Sequence, residues 1–397
     1  MDIYLRHDSF MRMLRLLICG WILCEATSLS SQPRAAELAL ALSSRYAPYA
    51  NWGAVLDVEQ LAKHTRAAYW QSADQIRDAR VEASLPLAGL HLAIDPGHVG
   101  GRWAAYEGRD FSINASDFRV REGELVLEVA QRVREALEQM GAEVTLLREG
   151  YEPLNPKSPL EYLETARGQV PQPDELSLAA LVDDYETVRN RAIQLSVVVG
   201  EIAERARLVN EAIQPDALLS LHINAAPWPA AAPQSESDVI PWLRLVKSNH
   251  AHVLIFGCLS DAELRSPRHQ EQLVTKLLNG SGAQELALGR AIGGALIDAT
   301  GLQASQYNGQ NAIQLNGDAP ELWARNLMLL RMVECPIVLL EPYVVNSEAV
   351  YSRIQTALAA RARGGDLPEN DILVEYTDAV VAGVLRIYGN TPETVSD

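Results

Sequence analysis

Three apolar segments of the sequence each lead into a side chain that can bind a metal ion or move a proton. These side chains are His98, His222 and Glu341, which follow or close the apolar runs 90–94, 217–221 and 336–340. Catalytic zinc sites use three protein ligands, drawn from such nitrogens and oxygens, and leave one position open for water. A further carboxylate can then act as general base and deliver a proton to the poor leaving group of an amide.

A fourth side chain of this kind, Glu122, opens a segment with helical periodicity. A carboxylate at a helix N-terminus is electrostatically favoured and rigidly held. Each of the four residues also has an ordinary interpretation, because a lone histidine at a strand end is more often packed than metal-bound, and Glu122 lies among Glu124 and Glu128. The common helical metalloprotease motif His-Glu-x-x-His is absent from the sequence. A shared site therefore depends on the fold bringing these residues together.

The pattern of apolar residues predicts how the fold does so. Strands are predicted at 90–94, 143–147, 217–222, 252–257 and 336–341, and helices at 126–140, 185–212, 283–300 and 372–388. This alternation predicts an α/β fold with a mixed, mostly parallel sheet flanked by helices on both faces. Because sites in such sheets gather at the carboxyl ends of strands, residues far apart in sequence can meet in one cleft.

The chain divides into three predicted parts. They are a signal peptide at 1–26, a helical extension at 27–85, and a catalytic domain at 86–397 with insertions at about 150–180 and 226–282. Arg12 and Arg15 precede an apolar run that is too short to span a bilayer, a pattern typical of a secretory signal. We therefore expect export to the periplasm or cell envelope, with no membrane span in the mature chain; an uncleaved anchor and a wrongly assigned start codon are the alternatives.

Charge and cysteine content narrow the possible partners and the redox chemistry. The net charge of −17 would repel phosphate backbones, which argues against a nucleic-acid partner. Beyond the predicted signal only Cys258 and Cys335 remain. An oxidising compartment would permit a disulfide between them, and two buried free thiols are the alternative.

Several blocks of the sequence resemble a known family over about residues 88–350. The segment Ile94-Asp95-Pro96-Gly97-His98 resembles the opening motif of zinc-dependent N-acetylmuramoyl-L-alanine amidases of the cell-division type. Further blocks that are similar to that family, in its order, are Glu122 with Leu127 and Ala130, Val144–Arg148, Arg205–Asn210, Asp216–Ala225, and Leu330–Arg331 followed by Pro336–Glu341.

The resemblance implies one zinc ion, peptidoglycan as substrate, and hydrolysis of the amide between N-acetylmuramic acid and L-alanine. It implies His98, Glu122 and His222 as metal ligands and Glu341 as the catalytic acid and base. Asn224 becomes a candidate for substrate binding. The insertions could be lids, docking surfaces for an activator protein, or passive additions, of which passive additions are the default interpretation. Some members of the family carry a helix that supplies an inhibitory glutamate to the zinc; candidates here are Glu161, Glu164, Glu236 and Glu263.

The sequence departs from the family at two places beside the expected site. Val99 replaces the usual glycine after the histidine, and the stretch 341–346 replaces Glu-Thr-Gly-Phe and is one residue shorter. One alternative is a non-catalytic or regulatory peptidoglycan-binding protein on the same fold. A zinc carboxypeptidase would place a glutamate where Gly101 stands, and a glycosidase with a carboxylate pair would leave both histidines unexplained.

Overall fold

A computed structural model describes residues 34–81, 84–175, 177–228, 245–315 and 317–389. The predicted signal peptide 1–26 and residues 229–244 of the second predicted insertion lie outside these ranges. Within the described ranges, no helix is both long enough and apolar enough to cross a membrane.

The centre of the protein is an eight-stranded, mostly parallel sheet. Its strands are β1 (His91–Pro96), β4 (Glu143–Leu146), β5 (Ala217–Leu221), β6 (His250–Phe256), β7 (Gln303–Ala304), β8 (Ala312–Gln314), β9 (Leu322–Arg325) and β10 (Ile337–Glu341), and a separate ribbon pairs β2 (Asp110–Phe111) with β3 (Val120–Arg121). The order across the sheet is β4-β1-β5-β10-β6-β9-β8, with β7 also paired to β6. The first four strands in that order are parallel, and β6 runs antiparallel to β10. The predicted fold class is confirmed.

Helices cover both faces of this sheet. The described helices are α1 (34–41), α2 (Val58–Leu61), α3 (Ala73–Asp78), α4 (Glu122–Gln139), α5 (Leu163–Gln169), α6 (Leu178–Gln194), α7 (Glu201–Arg207), α8 (Asp261–Leu264), α9 (Pro267–Leu278), α10 (Ser281–Thr300), α11 (Met328–Met332), α12 (Glu348–Arg363) and α13 (Ile372–Tyr388). Alternate residues of the strands pack on opposite sides, as the period of two requires. Leu219 and Val338 pack with α4, α10 and α13 on one face, whereas Leu218 and Ile337 pack with α9 and α11 on the other.

The N-terminal segment is helical only in part and is fixed to the rest of the chain. After α1 and a π-helical turn at Leu42–Tyr46, the helices among the described residues of 47–90 are all short. Arg45 is buried and donates hydrogen bonds to the carbonyl oxygens of Phe256, 2.8 Å away, and Gly282, 2.7 Å away. Its guanidinium also contacts the buried carboxylate of Glu285. The segment therefore packs against the face of the sheet that also carries α9 and α11.

The two predicted insertions contain more regular structure than expected. Residues 150–180 include a 3₁₀ turn, Pro159–Tyr162, and α5, because Ser158 and Glu161 form a capping box ahead of Pro159. Residues 178–213 form one continuous helical stretch with two π-helical turns. The second predicted insertion, 226–282, contributes β6 to the sheet from His250 onward. Because β6 lies between β10 and β9, this part of the predicted insertion is a component of the central sheet.

Candidate active site

Two histidines meet where β1 and β5 end. The strands are parallel neighbours with Pro96 paired to Leu221, and the amide of Gly97 donates to the carbonyl of Leu221 over 2.8 Å. The chain then turns at the same edge of the sheet in both places. As a result, the rings of His98 and His222 lie 4.9 Å apart, edge to face.

Glu122, the first residue of α4, places its carboxylate between the two rings. Its Oε2 lies 3.4 Å from Nε2 of His98, and its Oε1 lies 3.2 Å from Nδ1 of His222. One ligand atom from each of the three side chains lies within 4.8 Å of the others. This spacing and this set of donors suit a metal ion with a position left for water. Among the described residues, this cluster is a candidate metal site.

The carboxylate of Glu122 is buried and incompletely paired. Its Oε1 accepts a hydrogen bond from the backbone amide of Ile223 over 3.1 Å, whereas Oε2 has no hydrogen-bond partner among the described residues. Burial raises the pKa of Glu122, but His98, His222 and Arg109 outweigh burial and hold it at about 2. Burial likewise lowers the pKa of His222, but Glu122 and Glu341 more than reverse this, so it is raised. This ionised oxygen is buried and accepts no hydrogen bond from the described residues, and it lies 3.4 Å from both Nε2 of His98 and Nε of Arg109, so these residues fit a divalent ion.

Glycine is required where the backbone passes these ligands. A Cβ atom on Gly97 would lie 2.3 Å from the ring of His222, and one on Gly123 would lie 2.2 Å from the carbonyl oxygen of Val99. His98 itself has a φ of 53°, in the left-handed region that non-glycine residues seldom occupy. The turn after β1 is therefore sterically tight and held in a costly conformation by its surroundings.

Two buried arginines hold this turn. Arg205 pairs with Asp95 over 2.7 Å and donates to the carbonyl oxygens of Pro96 and His98 over 2.9 and 2.7 Å. Arg148 donates to the carbonyl oxygens of Pro96 and Gly97 over 3.0 and 3.1 Å. These contacts satisfy the turn's backbone acceptors and fix the direction in which His98 leaves it.

The second nitrogen of His98 is held by a carboxylate from the following loop. Glu107 places Oε1 3.2 Å from Nδ1 of His98 and accepts the backbone amide of Val99 over 2.8 Å. A metal-binding histidine commonly uses its other nitrogen in this way, because the contact fixes both the tautomer and the ring orientation. Glu107 therefore leaves Nε2 of His98 to face Glu122.

Glu341 reaches the same edge of the sheet from the next parallel strand. β10 pairs with β5 so that Leu340 is opposite Leu221, and the amide of His222 donates to the carbonyl of Leu340 over 2.9 Å. Glu341 follows at the strand end and is partly exposed. Burial raises the pKa of Glu341, but its interactions with His252 and His222 more than offset this and lower it. The ionised form of this carboxylate is therefore favoured.

His252 contacts the carboxylate of Glu341 from the antiparallel neighbour. The two residues are directly paired between β6 and β10, and Nε2 of His252 makes a very short contact with Oε2 of Glu341. The hydroxyl of Tyr307 lies 3.4 Å from the same nitrogen, and its ring is tilted against the imidazole at 5.6 Å. The imidazole is buried, so the contact is shielded from water.

Asn224 lies beside this pair, two residues after His222. Its side-chain amide contacts Nε2 of His250 over 2.9 Å, and its backbone carbonyl accepts a hydrogen bond from the backbone amide of Val345 over 2.7 Å. The divergent stretch after Glu341 is thus tied to the segment after β5. Asn346 completes the link, since its side chain bonds both the amide and the carbonyl of Ala226.

None of the candidate inhibitory glutamates that the structure describes is seen at the candidate metal site. Glu161 and Glu263 are engaged in capping boxes at Ser158 and Ser260. Glu164 lies in the first turn of α5 and is exposed. Glu236 falls outside the described residues. The two cysteines beyond the predicted signal, Cys258 and Cys335, are buried free thiols.

The sequence did not reveal Glu107, Arg109 or His252. Glu107 and Arg109 lie in an irregular loop where no periodicity assigns a direction to a side chain. His252 began a predicted strand, but nothing local indicates that this strand pairs with β10. A signal that could have raised its rank is the pair His250 and His252, two residues apart and so on one face of a strand.

Comparison with known proteins identifies a family. A sequence model of N-acetylmuramoyl-L-alanine amidases matches residues 92–361. This range contains both histidines, Glu122 and Glu341. No curated protein matches the chain.

Solved structures of such amidases are among those to which the chain is similar, at low identity. Ami1 of Mycobacterium smegmatis is 17% identical, with 76% of this chain and 98% of that one covered and a TM-score of 0.42. CwlD of Clostridioides difficile, solved in complex with the GerS lipoprotein, is 14% identical, with 75% and 98% covered and a TM-score of 0.37. AmiC2 of Nostoc punctiforme is 15% identical, with 75% and 97% covered and a TM-score of 0.36.

Proposed function

The chain belongs to the N-acetylmuramoyl-L-alanine amidase family and is a peptidoglycan amidase, and we propose that it cleaves the bond between N-acetylmuramic acid and L-alanine with a water activated by zinc. The observation that carries this proposal is the convergence of His98, Glu122 and His222 within 4.8 Å around a buried carboxylate. The alternative of a non-catalytic peptidoglycan-binding protein does not require these ligands to converge, so their convergence favours the enzyme.

We propose that His98, Glu122 and His222 hold the zinc ion. Zinc bound there would lower the pKa of water towards about 7 and so supply a nucleophile at neutral pH. Glu107 orients His98 by holding its other ring nitrogen. Asp95, Arg205 and Arg148 keep the turn that carries His98 in place.

We propose Glu341 as the group that moves the proton. Its Oε2 is engaged by His252, which leaves Oε1 to take a proton from the attacking water and to pass it to the leaving nitrogen. Asn224, at the rim beside His250, is proposed to contact the substrate. The family's substrate places this chemistry at the cell wall, and we propose that residues 1–26 direct the export that this requires.

Product analysis tests the proposal. Purified chain is incubated with peptidoglycan, with and without a chelator, and the released products are identified by mass spectrometry. We expect free stem peptides that begin at L-alanine, and we expect their loss with chelator and their return when zinc is restored. The variant Glu341→Gln should release them about 10²- to 10⁴-fold more slowly while binding zinc at one ion per chain, and Glu348→Gln, on an exposed helix turn, should behave like the parent.

Other products would identify other chemistry. Shortened glycans with new reducing ends would identify a glycosidase, and stem peptides trimmed at their carboxyl end would identify a carboxypeptidase. Wild-type protein that neither binds zinc nor releases stem peptides would contradict the enzymatic proposal. Release that is unaffected by chelator would contradict the metal.

We also propose that a partner protein docks on the outer face of α6. Four apolar side chains at helical spacing are exposed there, namely Leu178, Leu181, Val182 and Tyr185. Soluble surfaces seldom leave such a stripe uncovered. Exposed acids flank the stripe, including Asp183, and the chain carries a net charge of −17, so a basic partner surface is complementary.

Activity measured with and without an envelope extract tests this surface. A double variant, Leu181→Lys with Tyr185→Lys, should match the parent on isolated peptidoglycan, because the stripe lies outside the site. The extract should raise the specific activity of the parent but not of the variant. Equal stimulation of both proteins would contradict docking at α6.

A further inference from the structure

A second histidine–glutamate contact lies outside the candidate metal ligands, at the antiparallel junction of β6 and β10. Glu341 and His252 face each other directly across this junction. Directly opposed residues on adjacent strands project to the same face of a sheet. The contact is therefore built into the register of the sheet and does not depend on a mobile loop.

The protonation of His252 follows from its surroundings. Its Nδ1 is buried and has no hydrogen-bond partner among the described residues, whereas Nε2 faces the carboxylate of Glu341. A buried donor without an acceptor is costly, so the imidazole proton belongs on Nε2. His252 is then a donor to Glu341, and a hydrogen bond to an ionised carboxylate is stronger than one between neutral groups.

We propose that His252 is a positioning residue that clamps Oε2 of Glu341 through its Nε2 proton and so directs Oε1 to the reacting water. This inference rests on the proposed role of Glu341 as the acid and base. The side chain of Glu341 is 21% exposed, against 4% for His252, so the carboxylate sits at the mouth of the site on a buried support. Without the contact to His252, the side chain of Glu341 could adopt more rotamers.

Tyr307 covers the clamp on its open side. Its ring packs against the imidazole, and its hydroxyl lies farther from Nε2 than a normal hydrogen bond to nitrogen, at 3.4 Å. The single proton on Nε2 is therefore committed to the carboxylate, the stronger acceptor. Tyr307 contributes a wall that keeps the imidazole in place.

Three substitutions at His252 separate a clamp from a packing role. In His252→Gln the side-chain amide reaches the position of Nε2 and can donate to Glu341. In His252→Asn the amide corresponds to Nδ1 and falls short, and His252→Leu fills the space without a donor. The exposed His64 offers a matched control, His64→Leu.

The test uses the full chain. For each variant, kcat and KM are measured on peptidoglycan fragments, and bound zinc and the melting temperature are measured on the protein itself. Loss of a hydrogen bond to a charged group predicts a fall in kcat of about 10- to 100-fold in the Asn and Leu variants, with KM and zinc content unchanged. The Gln variant should recover most of that loss. Tyr307→Phe should change kcat by about twofold or less, because its ring remains.

Three results would overturn the clamp. The first is wild-type kcat in all three His252 variants while Glu341→Gln has lost activity, because Glu341 would then act as the base without support from His252. The second is an equal fall in all three variants, including Gln, together with lost zinc or a lowered melting temperature. The third is a Glu341→Gln variant that remains active, because the proposed base would then be wrong and the clamp with it.

Discussion

The site contains two histidine–glutamate groups that are held in opposite ways. In the metal cluster, Oε2 of Glu122 is buried and left without a hydrogen-bond partner, with His98 and His222 on either side. In the other group, Oε2 of Glu341 is occupied by His252 and the carboxylate lies nearer to solvent. The same two residue types therefore form the candidate metal ligands in one place and the proposed acid and base with its support in the other.

The difference lies in which strands meet. The metal cluster forms where two parallel strands end together, so that two loops and a helix start converge and their side chains point into one space. The second group forms between antiparallel neighbours, where directly paired residues contact each other and leave no space for an ion. Strand direction thus determines what a histidine and a glutamate can do together.

The largest expected effect comes from exchanging each carboxylate for its amide. Glu341→Gln should lower amidase turnover by about 10²- to 10⁴-fold and leave zinc content at the parent level, since it removes only proton transfer. Glu122→Gln should lose both zinc and turnover, because an amide is a poorer ligand than a carboxylate. Zinc is measured by elemental analysis after dialysis. Loss of zinc from Glu341→Gln would mean that Glu341 is itself a metal ligand, so that the two groups form one metal site.

The next effect concerns the support of the metal cluster. Arg205→Ala would leave Asp95 and Glu201 buried without their shared partner, and breaking a buried pair in this way costs about 3–5 kcal/mol of unfolding free energy. Denaturant titration measures that free energy. The matched control is Arg207→Ala, two residues along the same helix, whose pairs with Glu204 and Glu211 are at the surface. A surface ion pair contributes little, so equal losses in the two variants would show that the turn after β1 does not depend on Arg205.

A smaller effect is expected on metal affinity when the orientation of His98 is released. Glu107→Ala removes the acceptor of Nδ1, and losing such a contact typically weakens metal binding by about 10- to 100-fold. Competition with a chromogenic chelator measures the dissociation constant. Glu152→Ala removes an exposed carboxylate that contacts Trp103 and should leave the constant unchanged. Unchanged affinity in Glu107→Ala would mean that the turn alone orients His98.

The meeting of His98, His222 and Glu341 at one edge of the sheet was expected from sequence, whereas the contact between Glu341 and His252 was not. The first three residues follow strongly apolar strands, and parallel strands place their carboxyl ends together; their assignment as metal ligands or base, with Glu122, came from the family resemblance and stays a proposal. The pairing of β6 with β10 joins residues 89 positions apart. Strand order of this kind is set by packing of the whole sheet, so His252 carried no local signal.

The N-terminal segment shows the same limit. Its composition predicted a helical extension at 27–85, but the described part has few helical turns after residue 46 and packs on the sheet through Arg45. That contact depends on the carbonyl of Phe256 and on Glu285, neither of which is near in sequence. By contrast, α12 could have been predicted, since Ser347 caps its start and Gly364 ends it in the left-handed conformation.

The smallest expected effect tests how closely the two groups are built around one backbone turn. Gly97→Ala would drive a methyl group into the ring of His222, and overpacking of this kind costs about 1–3 kcal/mol of unfolding free energy. The added methyl group contacts His222 and not Glu341. The strain should therefore displace His222, a proposed metal ligand, more than it displaces Glu341, the proposed base. We therefore expect weaker zinc binding, with the remaining zinc-loaded fraction turning over at close to the parent rate. Gly150→Ala is the control, since nothing lies within 4 Å of a Cβ atom there. Zinc-loaded Gly97→Ala with a strongly reduced kcat would instead show that the ring of His222 and the carboxylate of Glu341 move as one unit.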